Sequence, residues 1–411
     1  MRNVPELRFD GFDGEWEEKI LGNCIKLLKS GLSRKLSDYD IGVPVVRANN
    51  TFDNKLDMDN DVKYWYEDDP QGANTDNYAI QKNDILINFI NSKSKMGTAA
   101  IVETIPNRKT IYTTNIMRVV LSDDLNPYYF LMITLTTSYR KYIDAISMPA
   151  VNQSSFTTAD YKKLKFNSPC IDEQEKIGDL FKKIDDLIEI QEDKVSKMED
   201  FKKSMLQKMF PKKGELVPEF RFDGFDGGWI VVSVKDLGKI VTGNTPKTNV
   251  PEYWSENHNH VWVTPTDING PIINNSERYL TDLGVEVSRL IPENSVLITS
   301  IASIGKNSIN TIPVSINQQI NAIIPSESSP YFIMMAFERY IQIFKSLAGN
   351  TATQIINKTN FENFCFPVPN LEEQEKIGQF FKNLDSQIEN EEKLLESYKM
   401  MKKSLLQKMF V

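Results

Sequence analysis

Side chains able to make or break bonds are few in this chain and poorly arranged for it. Histidine occurs twice, at His258 and His260 in one loop, and the three cysteines, Cys24, Cys170 and Cys365, are scattered. A nucleophilic site needs a base that is itself oriented by an acid, and a zinc site needs ligands at short, paired spacing. Neither pattern is present, and no G-x-x-x-x-G-K-[ST] run offers a phosphate cradle. The chain does carry loop residues of the kinds that match base edges, guanidinium on guanine and carboxamide on adenine. In the first half these are Arg47, Asn49 and Asn50 after the VPVV run, Lys93 and Lys95 before Gly97, Asn115 and Arg118, and Asn152 with Gln153. The second half offers Thr264, Thr266 and Asp267 after HVWV, Lys306 after Gly305, Asn317, Gln318 and Gln319, and Gln354 with Lys358. A polar loop side chain is ordinarily only solvated, so these residues carry weight as clusters and not singly.

What must position them is a duplicated unit. Residues 4–16, VPELRFDGFDGEW, and 217–229, VPEFRFDGFDGGW, agree at 11 of 13 positions. Residues 172–210 align without a gap on 372–410, both opening in EQEKIG and closing in LQKMF, with 20 of 39 positions identical. Between these anchors similarity falls away. Each middle mixes short β-rich runs (VPVVRA, DILINFI, TAAIVE, NIMRVVL; then HVWVTP, SVLITSI, QINAIIP) with Asn-, Gly- and Ser-rich connections, which predicts α+β domains. Pro169 and Pro369 mark the turn before each EQEKIG segment. Asp172 with Glu175, and Asn370 with Glu373, are placed to form capping boxes at the start of a helix.

That helix is long and carries a heptad seam. In the first copy Ile177, Phe181, Ile184, Ile188, Val195, Met198, Met205 and Met209 step by alternating four and three, interrupted at Gln191 and Lys202. The same slots of the second copy hold Ile377, Phe381, Leu384, Ile388, Leu395, Tyr398, Leu405 and Met409, interrupted at Glu391 and Lys402. A 39-residue helix is roughly 58 Å long, more than one domain's core requires. The strict 3.5-residue period and the duplication predict that the two helices pair with each other as an antiparallel coiled coil. The expected division is 1–168 and 214–368 for the two domains, and 169–213 and 369–411 for the helical spacers.

Composition narrows the class further. At 411 residues the chain has material for two or three domains, and 25% charged residues are ordinary for a globular protein. The net charge of −8 means that nucleic-acid binding would have to come from local patches. No apolar run approaches the ~20 residues of a membrane span, YFIMMAF being among the longest, and the start has no apolar core for a secretion signal. The expected place is the cytoplasm, with no membrane partner.

The order variable domain, long EQEKIG helix, second variable domain and second such helix resembles the specificity subunit of type I restriction-modification systems, over essentially the whole chain. The resemblance implies that each divergent middle is a target-recognition domain reading one half of a bipartite site in double-stranded DNA. It implies that the helices dock two modification subunits, with restriction subunits as further partners. Methyl transfer and cleavage would then lie in those partners, which bring S-adenosylmethionine, ATP and Mg²⁺, and this chain would hold no cofactor, metal or catalytic residue. Asn126-Pro127-Tyr128-Tyr129 resembles the Asn-Pro-Pro-Tyr box of amino-methyltransferases, but its counterpart is Ser329-Pro330-Tyr331-Phe332, without the Asn; a proline opening a helix explains both. The basic runs near the helix ends, Lys202, Lys203, Lys402 and Lys403 among them, fit either complementing the helix dipole or phosphate contacts of a rod lying near the duplex, and exposed positions near them are expected to matter for partner docking. The competing readings are a two-headed scaffold for protein or glycan, and a complete enzyme that turns over without partners.

Overall fold

The repeat appears first as a pair of short ladders. Glu17–Ile20 runs antiparallel to Lys165–Ser168, and Ile230–Ser233 to Cys365–Val368. In each copy, therefore, the strand following the FDGFDG segment closes on the strand preceding the long helix. The structure, a computed structural model, describes residues 3–52, 54–104, 106–149, 153–257, 259–349 and 354–411.

The chain forms two compact units, Met1–Gln191 with Leu394–Val411, and Glu192–Lys393. The first unit has a six-stranded sheet ordered Ile25–Ser30, Ile116–Leu121, Ile85–Asn88, Ala99–Ile101, Lys55–Leu56, Thr51–Phe52, and beside it the three strands Ile111–Tyr112, Val43–Val46, Lys63–Trp65. The second unit has a five-stranded sheet from Gly238–Thr242 to Ile272–Ile273, and another that includes His260–Val263 and Val314–Ile316. The β-rich runs of the sequence are these strands, so the fold is α+β with a tandem duplication.

The long helices span Ile171–Lys208 and Leu371–Met409. Each begins in one unit and ends in the other. In the first unit the Phe181 and Phe410 rings lie 5.9 Å apart and Asp185 meets Lys402, so the two helical segments there run in opposite directions. In the second, Phe381 lies 6.3 Å from Phe210 and Asp385 meets Lys202, again antiparallel. All ten slots of each seam are buried or half-buried. The LQKMF end of each helix enters an aromatic core: Phe410 against Trp16 and Tyr129, Phe210 against Trp229 and Phe332.

EQEKIG is the joint between domain and helix. The Gln174 amide donates to the Pro169 carbonyl and its oxygen accepts from the Asn126 N–H, and Gln374 does the same with Pro369 and Ser329. Asn126 and Ser329 cap the helices Pro127–Ile133 and Pro330–Arg339, so the Asn-Pro-Tyr-Tyr stretch is a helix start. Gly178 and Gly378 leave room for those caps; a Cβ would stand 2.8 Å from Asn126 Oδ1 and 2.7 Å from Ser329 Oγ. The capping box expected at Asp172 and Glu175 does not form. The helix starts two residues earlier, at Ile171, where the Cys170 carbonyl accepts from the Glu173 and Gln174 N–H groups. Cys170 stands where Asn370 caps the second copy, and a thiol is a poor acceptor. Glu173 and Glu373 are fully buried and turn instead to the repeat segments, each clamped by a two-pronged Arg, Arg8 at 2.8 Å and Arg221 at 2.7–2.8 Å.

Candidate nucleic-acid interface

Both domains use the same device to bring loops together. In the first, Val43–Val46 and Ile111–Tyr112 are parallel neighbours, so the loops leaving their C-terminal ends, 47–50 and 113–115, emerge side by side. In the second, His260–Val263 and Val314–Ile316 are parallel, and 264–267 emerges beside 317–319. Parallel strands end on one edge, which is where open α/β sheets gather ligand-binding loops.

Further loops join each cluster. In the first unit Phe89 N–H donates to the Asn115 carbonyl at 3.2 Å, and Ser154–Ser155 pairs with Ile90–Asn91, drawing Gln153 toward the Lys93–Lys95 turn. In the second, Ser300 N–H donates to the Gln319 carbonyl (2.8 Å), Ala302 N–H to the Gln354 carbonyl (3.1 Å), and Lys306 Nζ to Asn269 Oδ1 (3.3 Å). Arg47, Asn49, Asn115, Lys93, Lys95 and Gln153 are thus one neighbourhood. So are Thr264, Thr266, Asp267, Lys306, Gln318, Gln319 and Gln354. Asn152 lies outside the described residues, and Lys358 is spent on a short helix, 3.4 Å from Glu362.

Three candidates are occupied inside the fold. Asn50 is 1% exposed; its oxygen accepts from the Arg47 N–H and its amide donates to the Asn60 carbonyl. Arg118 lies within Ile116–Leu121 and holds the buried Asp84 at 2.6 Å, partly offsetting the burial that pushes that carboxyl up. Asn317 is buried and closes its own turn through the Gln319 N–H at 2.7 Å. Sequence polarity alone does not separate these from exposed neighbours. Thr264 and Thr266 are linked to each other, and Thr264 to Asp267, at 2.6–2.7 Å, while Gln318 accepts from Thr245. Asn49 and Arg47 both reach Asp61, whose carboxyl is held below its usual range chiefly by the Arg47 hydrogen bond. Two tryptophans near these loops are spent on packing: Trp65 is buried with Nε1 on Asp69, and Trp254 is set edge-on to Trp262 with Arg278 over its ring at 4.0 Å.

Lys202 and Lys402 are not exposed. Lys202 lies 2.7 Å from Asp385 and 3.6 Å from Glu338, and Lys402 lies 2.5 Å from Asp185. Asp185 also accepts from Tyr128 Oη (2.7 Å) and Asp385 from Tyr331 Oη (2.6 Å). These seam interruptions are internal ion pairs, because a lysine stem can run along apolar surface while its head reaches a carboxylate. Glu391, at the other interruption, meets Lys194 at 2.7 Å. Lys203 and Lys403 are exposed. Among the described residues no group of His, Cys, Asp and Glu is placed to hold a metal, and no helix is long and apolar enough to cross a membrane.

Known proteins resemble this chain along its length. The family described as type I restriction modification DNA specificity domain matches twice, at residues 14–200 and 226–399. A Methanocaldococcus jannaschii protein assigned to the type I restriction enzyme MjaX as its specificity subunit is 26% identical over 411 residues, covering 95% of this chain and 92% of its own. The specificity subunit of the Escherichia coli enzyme EcoR124I/EcoR124II is 31% identical over 161 residues, 37% of this chain and 39% of its own. In fold, the chain is similar to the crystal structure of the S subunit of a type I restriction-modification system from M. genitalium, with a TM-score of 0.66 at 15% identity over 99% of each.

Proposed function

This chain belongs to the type I restriction-modification DNA specificity family, and from that premise we propose how its parts divide the work. It is the DNA-recognition subunit and not a catalytic one. Each of the two divergent domains, 1–168 and 214–368, reads one half of a bipartite double-stranded target through its loop cluster. The spacers, 169–213 and 369–411, dock two modification subunits, which supply S-adenosylmethionine. Restriction subunits bring ATP and Mg²⁺, and the assembly works in the cytoplasm. The observation that carries the reading is the convergence, in both domains, of polar loops at the ends of two parallel strands. Docking on the helices is supported by apolar side chains left in water there: Leu187, Ile190, Leu394, Met400 and Met401 are 40–64% exposed.

The experiment is to express the chain with its modification partner and map methylated bases by single-molecule sequencing. Two short elements separated by a fixed unspecific gap are expected. Replacing residues 230–365 by the segment of a divergent relative should then change one element only. A change in both, with the protein folded, would refute independent reading.

A further inference from the structure

The second domain holds an arginine whose donors are unspent. Among the described residues every other arginine donates to a carboxylate or a carbonyl. Arg34, Arg47, Arg108 and Arg118 of the first domain, for example, reach Asp69, Asp61, Asp40 and Asp84. The Arg278 side chain makes no hydrogen bond or ion pair among the described residues, and the residue is exposed.

It is nevertheless held in place. Its guanidinium carbon lies 4.0 Å from the centre of the Trp254 ring and 5.0 Å from that of Trp262. Both indoles are anchored, Trp254 Nε1 on the Lys247 carbonyl at 3.2 Å and Trp262 Nε1 on the Asn244 carbonyl at 3.4 Å. The Arg278 backbone is pinned as well: its carbonyl accepts from the Trp262 N–H at 3.0 Å, and its N–H donates to Ser276 Oγ at 3.2 Å. Attraction between a cation and a ring face consumes no N–H donor, so both two-donor edges of the fork stay available while its rotamer freedom is already restricted.

Arg278 also stands where the recognition loops gather. Tyr279–Leu280 pairs antiparallel with His260–Val263, which sets Arg278 opposite Trp262, at the strand end from which 264–267 emerges. Asp267 accepts from the Glu277 N–H at 3.2 Å, and the loop carrying Asn244 reaches Gln318 through Thr245. These neighbours choose between the two kinds of acceptor that DNA offers. Asp267 and Glu277 bring carboxylates to the loop of Arg278, which a phosphate would meet with repulsion, whereas the edge of a base carries no charge.

We propose that Arg278 is a specificity-determining residue of the second domain, reading the O6 and N7 acceptors of a guanine in its half-site, with Trp254 as its positioning residue. Guanine is the base that presents two adjacent acceptors in the major groove, the match for an arginine fork. This rests on the DNA-recognition reading above.

The test uses the full chain with its modification partner. Preference is read by competition binding of duplexes that differ from the methylated target at one base pair, so it does not depend on turnover. The expected result is a guanine in the element that exchange of residues 230–365 assigns to the second domain. Arg278→Ala and Arg278→Gln should each lose about 5- to 150-fold of discrimination at that position, with the other element and the gap unchanged. Should Arg278→Ala fail to fold, Arg278→Gln decides. Trp254→Leu, which keeps apolar bulk without a ring face, should relax the same position, and Trp254→Phe should retain it. Equal preference in the Leu and Phe variants overturns the role of Trp254. A second element without guanine, an unchanged preference in both Arg278 variants, or binding weakened equally for all four bases as loss of a phosphate contact would give, overturns the assignment of Arg278. A wild-type complex that marks no bipartite sequence overturns the underlying reading instead.

Discussion

Lys402, on the second long helix, stands 2.5 Å from Asp185 on the first, and Asp185 simultaneously accepts from Tyr128 of the domain, so one carboxylate joins three elements. The arrangement recurs as Lys202, Asp385 and Tyr331. Lys402 and Asp185 side chains are only 15% and 11% exposed. Breaking such a pair leaves a charge in a poorly solvated place, whereas replacing both partners leaves none. Lys402→Met alone should cost about 3 kcal/mol, and Lys402→Met with Asp185→Asn should recover most of it. Urea unfolding of the two singles and the double gives the coupling; additive losses would mean that the pair is not a unit.

Gly178 offers a case where a helix-favouring change should do harm. Glycine to alanine inside a helix ordinarily gains about 1 kcal/mol. Here the new Cβ would lie 2.8 Å from Asn126 Oδ1, the atom that caps Tyr129 N–H at 2.9 Å. Loss of that cap, worth about 1 kcal/mol, cancels the usual gain, and the strain of the contact comes on top, so Gly178→Ala should destabilise instead of stabilising. With Asn126→Gly in place the 2.8 Å contact is gone, leaving Tyr129 N at 3.3 Å and Tyr128 Cβ at 3.4 Å, so Gly178→Ala should cost less than in the wild-type background. Chemical denaturation of all four combinations checks this.

The Lys202–Asp385 site should carry a pH dependence that its counterpart at Lys402 and Asp185 does not take from the same position. Burial pushes the Glu338 carboxyl up, against the pull of Lys202 and with the push of Asp385. A carboxyl with a higher pKa folded than unfolded binds its proton better in the folded state. It therefore favours folding most at low pH, and that contribution is lost as pH rises from the unfolded value, ~4.3, through the folded one. Glu338→Gln removes the effect. Its melting temperature should exceed that of wild type at pH 8 and converge with it toward pH 4. Leu135 follows Tyr128 by seven residues, as Glu338 follows Tyr331, so Lys402 and Asp185 have no such neighbour from that position.

The duplication, the α+β middles and the seam were legible because each rests on a period or an identity along the chain. The partners were not. Arg8, Glu173, Asp185 and Lys202 all recur as Arg221, Glu373, Asp385 and Lys402, yet the spacing does not say which carboxylate each seam lysine meets, since that depends on the register at which the antiparallel helices align. The same limit applied in the loops. Arg118 looks like any loop cation until Asp84, 34 residues earlier, is brought beside it by strand pairing.

In the second unit Phe220 N–H donates to the Lys208 carbonyl at 2.9 Å, and Trp229 N–H to the Leu216 carbonyl at 2.7 Å, across the linker 211–216. In the first unit the same two bonds, Leu7 to Lys408 at 2.9 Å and Trp16 to Asn3 at 2.7 Å, form with no linker between them. The fold thus treats Phe410 and Asn3 as it treats Phe210 and Leu216. A permuted chain that starts at Leu216, joins Phe410 to Asn3 through the five residues Pro-Lys-Lys-Gly-Glu, and ends at Phe210 should fold to the same two units. It would give up the Pro211 carbonyl's bond from Tyr340 Oη, 3.0 Å, a loss of about 1 kcal/mol. Hydrogen exchange of the core strands and the methylated sequence should both match the parent. Loss of protection at Val296–Thr299, with Ile85–Asn88 intact, would show that the 211–216 connection does more than span a gap.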